Sequence, residues 1–112
     1  MTNPRPNHVQ HPQQFFIGGD WVEPSAASTF DVVDSTTEEV FLTVAEAQAP
    51  DVERAVAAAR AAFDTGTWPR MSPAERGVWL NKIADAWEKR GEALADTWAL
   101  ESGVLRSMSV HS

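Results

Sequence analysis

The stretch EVFLTVAEAQAPDVERAVAAARAAF changes its hydrophobic period halfway along, and that change constrains the fold more than any other feature. Before the break, Val40, Leu42 and Val44 share one strand face, with Phe41, Thr43 and Ala45 on the other. Both faces are mostly apolar, so this strand calls for cover on both sides. From Pro50 onward, Val52, Ala55, Val56, Ala59, Ala62 and Phe63 recur at three- and four-residue steps and form one helical stripe. Pro50 suits the first helical turn, Asp51 and Glu53 complement the positive end of the dipole, and Gly66 stands where a C-terminal cap would. The segment is therefore α+β.

The flanking sequence extends the pattern. In FFIGGDWV, two short apolar runs flank Gly18-Gly19, which supplies the positive φ angles of a two-residue hairpin turn. TFDVV follows as a further strand, and DSTTE reads as a turn. Downstream, SPAE at Ser72 to Glu75 predicts a capping box: hydroxyl and carboxylate satisfy each other's amides, with Pro73 at the first helical position. The helix it opens carries Trp79, Leu80, Ile83, Ala84 and Trp87 on its inner stripe, where core packing is the favoured role of the tryptophans. Asp85 and Lys89 form an i,i+4 pair outside. Gly91 bends or ends this helix. A third stretch, Glu92 to Glu101, carries Leu94 and Trp98 before Ser102-Gly103 closes it.

Residues 1–14, rich in Pro, Asn and Gln, read as a disordered tail; residues 106–112 read as a loose C-terminal end. After Gly103 a new apolar pair, Val104 and Leu105, begins as in the middle of a helix-loop-helix passage. The expectation is a segment of a larger domain.

Composition narrows the function classes. In 112 residues, nine basic against sixteen acidic side chains leave a net charge of -7, which disfavours nucleic acid and anionic membrane surfaces. Cysteine is absent, so there is no disulfide, thiolate metal site or cysteine nucleophile, and a reducing compartment is the natural setting. The N-terminal residues lack an apolar run, and nothing later reaches transmembrane length, so a cytoplasmic protein is expected.

Residues that could carry chemistry are sparse. His8 and His11 lack a third ligand. Ser107, Ser109 and His111 lack an oriented acid or oxyanion donor. The glycines nowhere form a phosphate-cradling loop. Glu38-Glu39 reads as solubilising charge in a turn.

The order of these parts resembles the N-terminal region of the aldehyde dehydrogenase superfamily. The pieces that carry the resemblance are FFIGGDWV, the DVERAVAAARAAF helix, the WPRMSPAERG helix start and the ESG after the third helix. Their spacing covers residues 15–105. The resemblance implies an α/β family fold in which this α+β segment, a hairpin and long strands followed by three helices, packs on the outside of a cofactor-binding domain. It implies oxidation of an aldehyde to a carboxylic acid with NAD or NADP, through a thiohemiacetal on a Cys and a Glu that activates water. Neither the catalytic Cys and Glu nor the cofactor-binding residues have a matching position here, so the chain by itself is expected to be inactive. Its implied partners are the remainder of the dehydrogenase chain or a homo-oligomer of it.

Two positions depart from the family pattern. Glu38 stands where relatives place a turn glycine, which raises the cost of a positive φ and predicts a different turn. Gly103-Val104-Leu105 replaces the usual Gly-Lys-Pro. The resemblance also implies a monovalent cation held by the backbone around Val32 and the side chain of Glu101, oxygen ligands that suit a hard ion. The plainer reading of Glu101 is a solvated carboxylate at a helix end. The alternative to a dehydrogenase segment is a free-standing, non-enzymatic α+β module that binds a protein partner through its helix faces.

Overall fold

The computed structural model describes residues 8–110. Gly18 and Gly19 take φ angles of 64° and 90°, and the two short strands they join, β1 (Phe15–Ile17) and β2 (Asp20–Val22), pair antiparallel with Phe16 opposite Trp21. A second antiparallel pair follows: β3 (Thr29–Val33) against β4 (Val40–Ala45), with Phe30 opposite Val44 and Val32 opposite Leu42. The register slips at Val33, where the chain enters its turn.

That turn corrects one expectation. Glu38 adopts φ 63° although it is not glycine. The conformation is held from outside the residue. Asp34, 1% exposed, accepts from the amides of Thr36 at 2.8 Å and Thr37 at 3.3 Å, and its own carbonyl accepts from the Glu38 amide at 2.9 Å. Left-handed backbone costs a side-chain-bearing residue roughly 1–2 kcal/mol, and several hydrogen bonds of about 1 kcal/mol each offset it.

The helices begin and end largely where local chemistry directs. Helix α1 spans Ala49–Thr65, and Gly66 terminates it with its amide on the Ala62 carbonyl. The reason for glycine here is room rather than a left-handed φ. Gly66 sits at φ -73°, and a Cβ there would stand 2.2 Å from the Ala62 oxygen. A short 3-10 turn, Trp68–Arg70, leads to α2 (Pro73–Lys89). The Ser72 hydroxyl accepts from the Glu75 amide at 3.2 Å, and the Glu75 carboxylate accepts from the Ser72 amide at 2.8 Å, which closes the predicted capping box. After Arg90, α3 runs from Gly91 to Ser102 and ends on left-handed Gly103 at φ 72°.

Gly103 reverses the chain, and residues up to 110 of the segment that follows are described. Arg106–Ser109 form a helical turn, α4, pinned to α3 by an ion pair between Arg106 and Asp96, with Ser109 buried. Residues 1–7 of the expected tail lie outside the described residues; those described from His8 onward make contacts with the rest of the chain. His8 Nε2 hydrogen-bonds Thr97 Oγ1 on α3 at 3.0 Å, and His11 stacks on Trp21 at 4.3 Å.

Very little of this is interior. Among the described residues, the buried apolar ones are Phe41, Ala45 and Ala95. The molecule measures 50 × 37 × 18 Å with a radius of gyration of 17.2 Å, against about 13 Å for a compact domain of this length. Its accessible surface, 8537 Å², exceeds the roughly 6,100 Å² of a compact protein of this mass. No helix among the described residues is long and apolar enough to cross a membrane.

Candidate functional site

The most highly organised polar cluster surrounds Asp51 in the first turn of α1. Its carboxylate is 2% exposed and accepts from the Gln48 amide at 2.9 Å, the Ser25 amide at 2.8 Å, the Ser25 hydroxyl at 2.8 Å and Arg54 Nη2 at 2.9 Å. The Gln48 amide bond, together with those from Ser25 and Arg54, outweighs burial and lowers its pKa from 3.8 to about 2. Arg54 also donates to the Glu23 carbonyl at 2.9 Å. The cluster ties the loop after β2 to the start of α1. Every acceptor position of Asp51, including the one that takes the Ser25 hydroxyl, is thus engaged in structure.

A second junction lies at the far end of β3. The Ser35 amide donates to the Leu100 carbonyl at 2.9 Å, and the Ser35 hydroxyl donates to the Glu101 carbonyl. The turn after β3 is thereby docked on the last turn of α3. Val32 is half-buried in β3, and Glu101 is exposed. The Glu101 side chain forms no group of three or more His, Cys, Asp or Glu, and no such group occurs among the described residues.

The remaining chemical candidates are occupied or dispersed. His8 and His11 are not brought together: one reaches Thr97, and the other bonds Gln14 Oε1 at 2.9 Å. The Ser109 hydroxyl donates to the Arg106 carbonyl at 2.8 Å as a local helix bond, and His111 lies outside the described residues. The expected Asp85–Lys89 pair is not among the ion pairs of the described residues, which are Arg54–Asp51, Arg60–Asp64 and Arg106–Asp96. A solvated pair of long side chains gains too little to hold one geometry. Lys82 instead lies over the Trp79 ring at 4.3 Å.

What the molecule does offer is apolar surface. The stripe expected to face inward on α2 faces out: Trp79 is 47% exposed, Leu80 57%, Ile83 56% and Trp87 66%, and no residue of α2 is buried. On α1, Val52, Val56 and Phe63 are exposed as well. Between α2, α3 and the end of α4 runs an open groove of about 1050 Å³, lined by Leu80, Ile83, Trp87, Leu94, Trp98 and Val110. Monomeric proteins rarely present apolar surface on this scale unless something covers it. The apolar stripes are present as expected, but the described residues do not cover them, so the inward placement of Trp79, Leu80, Ile83, Ala84 and Trp87 is not met. Asp51 is the structural latch that sequence reasoning missed, because an acid in a first helical turn looks like dipole complement. The faint signal was Ser25, in a loop of small residues, whose position gave no hint of α1.

Comparison with known proteins shows the family. The model of the aldehyde dehydrogenase family matches residues 21–111. An aldehyde dehydrogenase of Alternaria alternata is 40% identical over 109 residues, covering 97% of this chain and 22% of that protein. The cytosolic 10-formyltetrahydrofolate dehydrogenase of Pongo abelii is 37% identical over 102 residues, 91% of this chain and 11% of that protein. Among solved structures, aldehyde dehydrogenase C of Pseudomonas syringae, a mutant in complex with NAD+ and octanal, superposes with a TM-score of 0.86 at 38% identity, over 93% of this chain and 21% of that one. The chain thus spans between 11% and 22% of the length of these relatives. With a match over nearly all its residues and over the same arrangement of strands and helices, the chain belongs to the aldehyde dehydrogenase family, of which it represents the N-terminal segment.

Proposed function

We propose that this segment serves an NAD- or NADP-dependent aldehyde dehydrogenase as the outer layer on its cofactor-binding domain. The observation that carries this reading is α2: a helix capped at its start by its own sequence, with its whole apolar stripe turned to solvent. A surface of this kind is built to be covered, and the relatives are several times longer than the part matched here. The segment's own contribution is shape. It brings no Cys and no catalytic carboxylate, so thiohemiacetal formation and thioester hydrolysis belong to the remaining body of the enzyme. Its partner is that body, or a homo-oligomer of it, and not nucleic acid or membrane. The cytosolic relative and the lack of cysteine support a cytoplasmic location.

The same reading includes a monovalent cation between the main chain at Val32 and the Glu101 carboxylate. The Ser35 bonds that bring the end of β3 to the end of α3 support it. Both donors are oxygens, which fit a hard ion, with further ligands supplied by the covering body.

The test has two arms. The purified chain, given octanal with NAD+ or NADP+, is expected to produce no reduced cofactor. A chimera in which residues 15–105 replace the matching segment of the Pseudomonas syringae enzyme is expected to keep activity within about tenfold of the parent, since no reacting group changes. Turnover by the chain alone overturns the proposal. So does an insoluble chimera alongside an isolated chain that melts cooperatively as a monomer.

A further inference from the structure

The edge of β4 that faces away from β3 already has an occupant. The Ala45 amide donates to the Pro12 carbonyl at 3.0 Å, and the Gln13 side-chain amide donates to the Thr43 carbonyl at 2.9 Å. In an antiparallel pair, the main-chain groups of every second residue point away from the partner strand. Thr43 and Ala45 are two apart, so both bonds fall on the same outer edge. Residues 11–14 lie along it as a strap, held at one end by the stack of His11 on Trp21 and at the other by Gln14 Nε2 donating to Glu23 Oε1 at 2.6 Å.

The strap cannot continue the sheet. Pro12 has no amide proton, and Gln13 reaches β4 with its side chain rather than its backbone. The strand beneath it needs such a guard. VFLTVA is aromatic and β-branched, with no charge and no proline, a composition that pairs readily with copies of itself when its edge is bare. The other strand of the sheet carries Asp31 in its middle, and a second copy pairing there would bring carboxylates together. β4 has no charge of its own.

We propose that residues 11–14 are an edge guard, and that the partner fitted by the bare edge of β4 is the same strand of a second copy of this chain. The full chain is compared with one lacking residues 1–14 by the rate at which thioflavin T fluorescence grows. Truncation is expected to raise that rate about tenfold, as an unguarded zipper segment should. Thr43→Pro in the truncated chain, which removes an outward amide without touching the β3 ladder, is expected to return the rate to that of the full chain. Ile83→Glu, on the exposed face of α2, is expected to leave the truncated rate high. A truncated rate within twofold of the full chain overturns the proposal, as does a rise cured by Ile83→Glu and not by Thr43→Pro. Should truncation unfold the chain, hydrogen exchange in the intact protein decides: a protected Ala45 amide supports the strap, and one exchanging at the unfolded rate refutes it.

Discussion

The β3–β4 region and α2 are built on opposite terms. The sheet region is short and irregular, yet it and the turn between its strands hold Phe41, Ala45 and Asp34, three of the six buried residues among those described. Helix α2 is long, capped at its start by a complete reciprocal box, and buries nothing. One region is fixed by bonds between distant parts of the chain, whereas the other is fixed by its immediate neighbours and then left waiting. The contrast shows that local order and tertiary order are separable. A helix can be specified to the residue by its own sequence while its place in a core is supplied by other parts of the protein.

The sharpest way to break the comparison is a charge on the α2 stripe. In the chimera, Ile83→Glu is expected to cost about 3–5 kcal/mol and reduce soluble enzyme severely, because covering would bury an unpaired carboxylate. In the isolated chain the same change is expected to alter thermal unfolding by no more than about 0.5 kcal/mol, as at any exposed position. Equal effects in the two settings would mean that α2 is not covered.

An intermediate effect tests the polar side of the contrast. The folded pKa of Asp51 is about 2, below its ordinary 3.8, so its ionised form stabilises the fold. That stabilisation is complete above the ordinary value and is lost as pH falls through the interval toward 2. Acid titration followed by circular dichroism is expected to show the start of α1 loosening across this interval. Asp51→Asn, whose side-chain NH2 would face the donors Ser25 and Gln48, is expected to be loosened already at neutral pH and to show no transition there.

The smallest effect is expected at Glu38. Replacing it with Gly removes the left-handed strain, offset in part by a freer unfolded chain, and should stabilise the chimera by about 1 kcal/mol. A destabilised Glu38→Gly would show that the side chain, and not only Asp34, holds the turn.

Which parts were legible follows from how far each signal had to reach. The box at Ser72 and Glu75 spans three residues, and the hairpin at Gly18-Gly19 spans two, so the residue types alone announce them. The stripes of α1 and α2 were equally readable, though not what lies against them. The latch from Ser25 to Asp51 joins positions 26 apart, the dock of Ser35 on Glu101 joins positions 66 apart, and the bond of His8 to Thr97 joins positions 89 apart. No periodicity encodes such pairings, because each residue looks like ordinary surface until the partner arrives. Glu38 shows the limit from the other side. Its poor fit to a left-handed turn was read correctly, but a buried aspartate four positions earlier decided the outcome.

The slab is 18 Å thick, less than two helix diameters, and its thinness has an optical consequence. All five tryptophans, Trp21, Trp68, Trp79, Trp87 and Trp98, are at least 42% exposed. Indole emission moves to shorter wavelength when water is withdrawn from the ring. The bare segment should therefore emit far to the red, and each indole that becomes sheltered should pull the spectrum toward the blue, so the protein carries its own dye for the moment of assembly.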